Sequence, residues 1–351
     1  MELQSPLVKM SASKGVVGLS NIGNTCYGNA TLQALRHQVD FTIFLLQNQQ
    51  EEFLKRKAPN EKTKLLEAYS ELTKSLWSSE KGYVSTKPFW GAMIPAAIKA
   101  GFEQFRIPMQ HDAHEFLVFL LDQFHEAMAE EVSMTIKTSS EQTDTRAALE
   151  AWKSAFQKSY SPMVELVFGL QRKCVTCENC KAESISWETM NMSKVSVPKN
   201  PSGPVNLLDL MAAEDEDDGI EGYNCEKCKQ RGKATVTRKL WRLGNWVIVV
   251  LKRNENSGRR INTNVEIPLK TTFGSSFHPS SSEPSGRDTY ELFATIHHHG
   301  SSGGGHYTAQ AKHPVSAKWA RYDDEGGREI EAGEPQLDAS TYIVMYRRIT
   351  G

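Results

Sequence analysis

Residues 18–29 read GLSNIGNTCYGN and place Cys26 where a loop rich in glycine and asparagine turns into a helix. Gly18 and Gly23 permit backbone angles that other residues resist, and the polar pair 24–25 can cap the following helix. At a helix N-terminus the macrodipole and the unpaired N–H groups favour the thiolate, lowering a cysteine pKa from about 8.5, often to below about 7. This is the environment that a cysteine nucleophile needs, although a small buried cysteine at a helix start fits the same pattern.

The composition of the 351 residues is that of an ordinary globular protein, with 39% hydrophobic, 24% charged and 9% aromatic residues. A net charge of −1 argues against nucleic acid as a partner, and no apolar run approaches the roughly 18 residues of a membrane span, so no membrane partner is expected. The first fourteen residues lack the apolar segment of a secretory signal, which favours the cytosol or the nucleus. Because disulfides are rare there, the six cysteines are interpreted as thiols or metal ligands.

The order of the elements predicts an α+β fold. Helical apolar spacing dominates the first half of the chain, whereas short β-like segments separated by serine- and glycine-rich loops dominate after residue 168. Residues 1–14 have the character of a loose polar tail, and the polar stretches 131–149 and 271–288 are expected to be mobile. Trp246–Leu251 is a continuous apolar run, which predicts a central strand buried on both faces.

A second motif, QHDAHEFL at residues 110–117, opens a segment with three- and four-residue apolar spacing, which predicts a helix. Asp112 and Glu115 have the spacing of a capping box, in which each side chain bonds the other residue's backbone N–H. On spacing alone, capping is the simpler role for both acids.

Five cysteines have the spacing of metal ligands: Cys174, Cys177, Cys180, Cys225 and Cys228. Paired C-x-x-C units in a reducing compartment are typical of a closed tetrahedral zinc site, whose role is structural because no coordination position is open. Either Cys174 with Cys177 or Cys177 with Cys180 can supply the first pair. Unliganded thiols are the alternative, which two such units disfavour.

A glycine-rich turn, HHHGSSGGGHY at residues 297–307, joins two predicted strands. His306 opens the second of these strands, which is a fixed platform for a general base. Asp323 and Asp324 end a later aromatic segment, and an acid can hold the second imidazole nitrogen and so set the tautomer. If the fold brings Cys26, His306 and an acid together, the arrangement is that of a cysteine protease.

Together these motifs resemble the ubiquitin-specific proteases, a papain-like class of deubiquitinases, over nearly the whole chain. The resemblance rests on separated motifs that occur in the family's order. They are the box at 18–27, QHDAHEFL at 110–117, the two C-x-x-C units, LKR at 251–253, and GGHY at 304–307 followed by YDD at 322–324.

The resemblance implies a papain-like α+β fold in a single catalytic domain at 15–351. A helical thumb is expected at about 15–130, zinc-bearing fingers at about 165–240 and a β-sheet palm at about 240–351. The implied enzyme is a thiol-dependent hydrolase of the peptide or isopeptide bond after the C-terminal glycine of ubiquitin. Its partners would be ubiquitin and ubiquitinated proteins, with room for a regulatory protein partner.

Two other functions stay open at this point, namely a catalytically silent ubiquitin-binding scaffold and a protease for a related ubiquitin-like modifier. A zinc-bearing nucleic-acid module is a third class, which the near-neutral charge disfavours. Gly28 stands where the family usually has methionine, and Asn254 where it usually has phenylalanine. Such departures indicate a divergent member of the family.

By position, the resemblance makes Cys26 the nucleophile, His306 the base, Asp323 the acid that orients the imidazole, and Asn21 a donor to the oxyanion. A serine and an acid follow the family's first zinc pair at fixed offsets, and residues 184 and 188 match them when Cys180 is a ligand. The implied ligands of one structural zinc ion are therefore Cys177, Cys180, Cys225 and Cys228, and no catalytic cofactor is implied.

The resemblance also changes the interpretation of Asp112 and Glu115, because the matching acids of the family help to bind the basic C-terminal tail of ubiquitin. Capping and tail binding do not exclude each other. The implied substrate-binding residues are Gln110, Asp112, Glu115, His298 and Tyr307.

Overall fold

The structure is a computed structural model, and it describes residues 10–11, 14–106, 109–138, 143–254, 258–281, 289–301 and 304–349. Most of the tail predicted at 1–14 lies outside these residues. Met10, however, is fully buried against Leu46 and Trp77, so the prediction of a loose tail is wrong at that residue.

The helices come first in the chain. They are α1 (Cys26–Leu35), α2 (Val39–Leu46), α3 (Gln50–Leu54), α4 (Glu61–Ser78), α5 (Lys87–Lys99), α6 (Ala113–Met128), α7 (Thr143–Phe156), α8 (Pro162–Val167) and, later, α9 (Leu207–Asp215). Short 3-10 turns occur at Glu103–Phe105 and Gly274–Ser276. No helix of the described chain combines the length and the apolar content that a bilayer crossing requires.

The strands follow, apart from a short parallel pair near the N-terminus. They are β1 (Gly18–Leu19), β2 (Tyr83–Val84), β3 (Gly169–Cys177), β4 (Glu183–Met190), β5 (Ser193–Ser196), β6 (Glu216–Asn224), β7 (Arg231–Arg242), β8 (Trp246–Lys252), β9 (Lys270–Thr272), β10 (Thr289–Ser301), β11 (Gly304–Lys312), β12 (Trp319–Asp323), β13 (Gly326–Glu329) and β14 (Thr341–Arg348). A large sheet has the order β13-β12-β11-β10-β14-β8-β5, with β9 beside β10, and a small sheet has the order β4-β3-β7-β6. The predicted α+β class is confirmed.

Helix α1 is buried along its whole length and packs between α6 and strand β11 of the large sheet. A helix in this position must satisfy its polar side chains internally. Thr31 Oγ1 donates to Tyr27 O at 2.8 Å, and Gln33 Nε2 donates to Val17 O at 2.9 Å. The nucleophile candidate at the start of α1 is therefore fixed by packing on every side.

Strand β8 confirms the prediction of a central strand with two buried faces. Its residues Trp246–Leu251 are all buried. The even-numbered ones join the core that the sheet shares with the helices, whereas the odd-numbered ones join a second core on the opposite face. The alternation follows from the two-residue period of a strand.

The stretch predicted to be mobile at 131–149 overlaps a helix, because α7 begins at Thr143. Ala148, Trp152 and Phe156 recur every fourth residue and are buried against Leu170 and Trp241. The prediction is thus wrong from residue 143 onward, since the apolar face of the helix lies mostly beyond the polar stretch. Residues 139–142 lie outside the described chain.

The stretch 271–288 was likewise predicted to be flexible. It begins inside strand β9 and continues into the turn Gly274–Ser276, so the prediction is wrong there. Phe273 is buried between them in the second core, which explains the order of this part. Residues 282–288 lie outside the described chain.

The two glycines of the first motif have different roles. Gly23 has a φ of 119°, as predicted, which L-residues rarely adopt. Gly18 lies in β1, and its backbone angle is ordinary. A Cβ atom at Gly18 would overlap the carbonyl oxygens of Asp324 and Glu325, so this glycine permits a close approach of two chain segments.

We expect Gly18→Ala to destabilise the fold by about 1–3 kcal/mol, because the added methyl group would displace the turn after β12. Urea unfolding measures the effect. Gly91→Ala is the matched control, since a Cβ there meets nothing within 4 Å in the middle of α5 and should stabilise by about 0.5–1 kcal/mol. Equal unfolding midpoints for Gly18→Ala and the wild type would contradict the close approach.

His297 on β10 is a buried neutral imidazole. Its Nδ1 lies 3.0 Å from Ser340 Oγ, and its Nε2 lies 2.9 Å from both Thr295 Oγ1 and Gln310 Nε2. Burial lowers the pKa of His297 to about 3, whereas an unfolded histidine has a pKa of about 6.5. Between about pH 3 and pH 6.5, this histidine therefore binds a proton in the unfolded chain but not in the folded chain.

The stabilisation from the neutral His297 is therefore complete above about pH 6.5 and is lost as the pH falls, by up to about 1.4 kcal/mol per pH unit. Unfolding free energies measured between pH 7 and 5.5 should decrease toward acid. His297→Gln removes the titrating group, so its profile should be shallower over this range. Parallel profiles for the two proteins would show that His297 is protonated in the fold.

Candidate active site and metal centre

Cys26 is the first residue of α1, as predicted, and it is 3% exposed. Thr25 is the N-cap residue, but its side chain does not cap the helix. Its hydroxyl instead donates to Asn21 Oδ1 at 3.2 Å and accepts from the backbone N–H of Ile22 at 3.2 Å. The loop is thus held by its own side chains, and the N–H groups of the first helical turn face the sulfur.

The expected low pKa of Cys26 is wrong for this state of the molecule. Burial raises the pKa of the thiol above its usual value, and the charge of Asp324 adds to the rise. The backbone N–H groups of Tyr307, Tyr27 and Cys26 itself act in the opposite direction but are outweighed. The N–H groups at the helix N-terminus lower the pKa as predicted, but the loss of water around the sulfur raises it by more.

His306 and Asp323 meet as predicted. His306 Nε2 lies 2.6 Å from Asp323 Oδ1, so this nitrogen carries the proton when the imidazole is neutral, and Nδ1 is left as the base. Among the described residues, no hydrogen bond joins Cys26 Sγ to His306. The backbone N–H of the following residue, Tyr307, does reach the sulfur, which places the cysteine beside this part of β11.

Asn21, the predicted oxyanion donor, is engaged within the site. Its Nδ2 donates to Asp324 Oδ2 at 2.8 Å, and its Oδ1 accepts from the backbone N–H groups of Gly23 and Thr25 at 3.0 and 3.3 Å. One N–H of the amide thus orients the side chain, and the second remains for another acceptor.

Asp324 has a structural role that the sequence analysis missed. Its Oδ1 accepts from Asn29 Nδ2 at 2.7 Å, in addition to the bond from Asn21, and its backbone carbonyl accepts from Leu19 N–H at 2.7 Å. The acid joins the end of β12 to the nucleophile loop and to α1. A signal was present, because Asn29 lies one turn after Cys26 and a buried asparagine requires a partner.

A cleft of about 260 Å³ adjoins His306. We call it the tail cleft, after the ubiquitin tail that the resemblance implies as the ligand of residues found there. Its lining residues are Gln110, His111, Asp112, Asn254, His298, Ser301, Gly304, Gly305 and Tyr307. Four of the predicted substrate-binding residues therefore share one cavity. Glu115 does not line it and lies exposed on the first turn of α6.

Asp112 caps α6, but the predicted capping box does not form. Its Oδ1 accepts from His114 N–H at 2.7 Å, whereas within the described residues the backbone N–H of Asp112 does not donate to the Glu115 carboxylate. Tyr342 OH donates to the carboxylate at 2.9 and 2.8 Å. Burial, and next the Asp112 charge, raise the pKa of Tyr342, so the phenol keeps its proton and holds the acid at the cleft.

His298 forms one wall of the tail cleft. Its ring stacks on Tyr307 with centroids 4.4 Å apart, and Arg260 Nη1 lies 2.9 Å from its Nδ1. Burial, followed by the Arg260 charge, lowers the pKa of His298 to about 4. The imidazole is therefore neutral at pH 7 and accepts from the arginine.

The four predicted metal ligands converge at one end of the small sheet. The Sγ atoms of Cys177, Cys180, Cys225 and Cys228 lie within 4.8 Å of one another. Cys177 and Cys228 are 4.0 Å apart, and Cys180 and Cys225 are 3.6 Å apart. Four thiolates around zinc at about 2.3 Å in a tetrahedron would be about 3.8 Å apart, so the donor set fits this metal.

The two cysteine turns have the same backbone geometry. Lys181 N–H donates to Cys177 O at 2.9 Å, and Lys229 N–H donates to Cys225 O at 2.9 Å. Both lysines have a positive φ, 57° and 58°. This conformation is uncommon for non-glycine residues, and its repetition brings the two sulfurs of each turn to the same side.

One further observation supports the choice among the five cysteines. Cys174 lies outside the cluster on β3, buried with its sulfur 3.8 Å from Thr176 Oγ1. Cys180, not Cys174, therefore completes the four-cysteine group.

Residues 17–346 match the family model described as ubiquitin carboxyl-terminal hydrolase. The chain is 29% identical to ubiquitin carboxyl-terminal hydrolase Usp2 of Drosophila melanogaster over 342 residues, which are 96% of this chain and 35% of the relative. It is 26% identical to ubiquitin carboxyl-terminal hydrolase 2 of Homo sapiens over 349 residues, 95% of this chain and 55% of the relative. The chain thus spans about a third to about a half of the length of these relatives.

Solved structures show the same fold. The chain is 17% identical to one in the SAGA Ubp8/Sgf11/Sus1/Sgf73 DUB module bound to ubiquitin aldehyde, with a TM-score of 0.72 and coverage of 97% of this chain and 71% of that chain. A chain of a yeast SAGA DUBm structure is 19% identical, with a TM-score of 0.72 and coverage of 97% and 70%. Since the family model matches nearly the whole sequence, the chain belongs to the ubiquitin carboxyl-terminal hydrolase family, as the resemblance predicts.

Proposed function

We propose that this chain is a thiol-dependent deubiquitinase domain that hydrolyses the peptide or isopeptide bond after the C-terminal glycine of ubiquitin. The observation that carries the proposal is the 2.6 Å contact of His306 with Asp323 beside a buried Cys26 at a helix N-terminus. Membership of the family and the ubiquitin aldehyde bound in the structural neighbour support ubiquitin as the substrate.

In the proposed reaction, Nδ1 of His306 takes the thiol proton, and the sulfur of Cys26 attacks the glycine carbonyl carbon. The backbone N–H of the cysteine and the second N–H of Asn21 Nδ2 stabilise the oxyanion, where one lost donor typically costs about 10²–10³ in rate. The imidazolium then protonates the leaving amine, which gives a thioester. Water attacks the thioester with His306 as the base, releasing ubiquitin and restoring the thiol.

The raised pKa of Cys26 gives the approach of His306 a definite role in this reaction. The thiol keeps its proton while no hydrogen bond joins the sulfur to the imidazole, so the nucleophile forms only when the two groups meet. Substrate in the tail cleft lies against strand β11, which carries His306, and its binding energy can bring the base into place. The enzyme would thus hold little thiolate between turnovers.

The tail cleft suits a chain end without side chains. Gln110 donates from Nε2 to Gly305 O at 3.1 Å and accepts from Gly305 N–H at 3.1 Å, which closes one side. A Cβ at Gly305 would overlap His298, so this wall is packed tightly against its neighbours. Asp112 at the cleft and Glu115 near it would attract basic residues farther along the tail.

Hydrolysis of ubiquitin that carries a C-terminal fluorophore tests the proposal. We expect Cys26→Ala to lower the rate more than about 10³-fold while keeping ubiquitin binding. Cys174→Ala is the matched control, because it removes a buried cysteine outside the site and should retain the wild-type rate. If wild type and Cys26→Ala both bind ubiquitin and neither hydrolyses it, the chain is a silent scaffold. Failure to bind ubiquitin would favour a related modifier.

We also propose that the four-cysteine cluster holds one structural zinc ion, liganded by Cys177, Cys180, Cys225 and Cys228. A metal held by four thiolates has no position for substrate and acts on stability alone. A reducing compartment, the cytosol or the nucleus, belongs to this proposal, because thiolate ligands persist there without forming disulfides.

Elemental analysis should find one zinc per chain in the wild type. Cys225→Ser should lose this zinc and lower the unfolding free energy by at least about 2 kcal/mol, because folding and metal binding are coupled. Cys174→Ser should keep the zinc. A metal-free protein whose stability is unchanged by Cys225→Ser would refute the proposed centre.

A further inference from the structure

A second cleft borders the catalytic pair on the side away from the tail cleft. It has a volume of about 380 Å³, and its lining residues are Arg321, Asp323, Gly326, Gly327 and Arg328. These residues belong to β12, β13 and the turn between them, at the edge of the large sheet. Asp323 faces this cleft and also bonds His306, so the cleft begins at the catalytic base.

The cleft contains two arginines that face each other. Arg321 and Arg328 are cross-strand partners in the β12–β13 register. Like charges at opposed positions destabilise a strand pair. Arg321 Nη2 lies 3.6 Å from Asp323 Oδ2, a long contact, and its buried Nε has no hydrogen-bond partner. Arg328 is exposed, and its side chain forms no ion pair within the described residues.

The other nearby carboxylates bond to groups outside the cleft and do not line it. Glu325 Oε1 accepts from Asn21 N–H at 3.2 Å, and Glu329 pairs with Lys318 at 2.8 Å. Glu329 also follows Arg328 directly in β13, so its side chain points to the opposite face of the strand. Asp324 is held by two asparagines of the nucleophile loop and helix. The charged side chains that line the cleft itself are therefore two arginines and one carboxylate, whereas Asp324 and Glu325 lie beyond its lining.

In acyl transfer the two clefts would bind different parts of the substrate, one the acyl group and the other the leaving group. The acyl group and the leaving group lie on opposite sides of the scissile carbonyl carbon. With a glycine-ended tail along β10 and β11, the leaving amine must lie on the other side, where His306 protonates it. A leaving group over β12 and β13 would place the residues that surround the modified lysine within reach of Arg321 and Arg328.

We propose that this second cleft receives the residues that flank the modified lysine and prefers acidic side chains there. The proposal rests on the deubiquitinase function proposed above. A guanidinium group binds a carboxylate through two parallel hydrogen bonds, which makes an Asp or Glu close to the lysine the best match. A bound carboxylate would also relieve the repulsion between the two arginines.

The test uses ubiquitin joined by an isopeptide bond to one short peptide in three forms. The residues that flank the lysine are aspartate, serine or lysine, and everything else is identical. For the wild type we expect kcat/KM to be about fivefold higher with aspartate than with serine, and lowest with lysine. The preference should shrink with added salt, because both arginines are partly exposed.

Arg328→Glu should reverse the order of the aspartate and lysine peptides. Lys270→Glu makes the same charge change on an exposed residue of β9, away from the cleft, and should keep the wild-type order. Equal kcat/KM values for the three peptides in the wild type, or an order unchanged by Arg328→Glu, would overturn the proposal. The wild-type comparison needs no variant and so does not depend on the folding of Arg328→Glu.

Ubiquitin with a C-terminal fluorophore has no flanking peptide, so its hydrolysis tests the proposed function without testing the preference for acidic flanking residues. If the wild type hydrolyses the fluorophore conjugate but shows no preference among the peptides, the acceptor preference fails while the proposed function holds. If the wild type hydrolyses none of the four conjugates, both fail together.

Discussion

The geometry of the site depends on one carboxylate, that of Asp324. It accepts hydrogen bonds from Asn21 in the nucleophile loop and from Asn29 in α1, while the adjacent Asp323 holds the base. Cys26 belongs to the helical part and His306 to the large sheet, so their relative position requires a link between these parts. Asp324 supplies this link, directly after Asp323 in the chain. The close approach of Gly18 to the same turn adds a second, purely steric constraint.

Burial and helix polarity compete at Cys26. Helix N-termini stabilise thiolates by a modest amount, whereas removal of water from a charged sulfur costs more. Because α1 is buried on all sides, the second effect is larger, and burial protects the thiol by keeping it protonated. Such protection limits oxidation of the sulfur, which requires the exposed thiolate.

Local patterns predicted several features correctly. The helix N-terminus near Cys26 and the buried strand β8 depend on short-range spacing. Spacing alone leaves Cys174 and Cys180 as alternatives, and the preference for Cys180 comes from the family resemblance. The raised pKa of Cys26 could not be predicted, because it results first from burial in the folded core and then from the charge of Asp324, which is distant in the sequence. The absent capping box at Glu115 and the pairing of Arg321 with Arg328 have the same cause, since partner choice and strand register are tertiary properties.

The position of the cysteine cluster has a consequence for the topology of the chain. Cys180 and Cys225 are separated by 45 residues, and the intervening segment leaves the small sheet, adds β5 to the edge of the large sheet, forms α9 and returns. A metal bound there would act as a covalent-like crosslink, and closing a loop of this length removes chain entropy worth about 4 kcal/mol in the disulfide case. Removal of the metal by a chelator would therefore loosen the edge of the large sheet at β5 as well as the two cysteine turns.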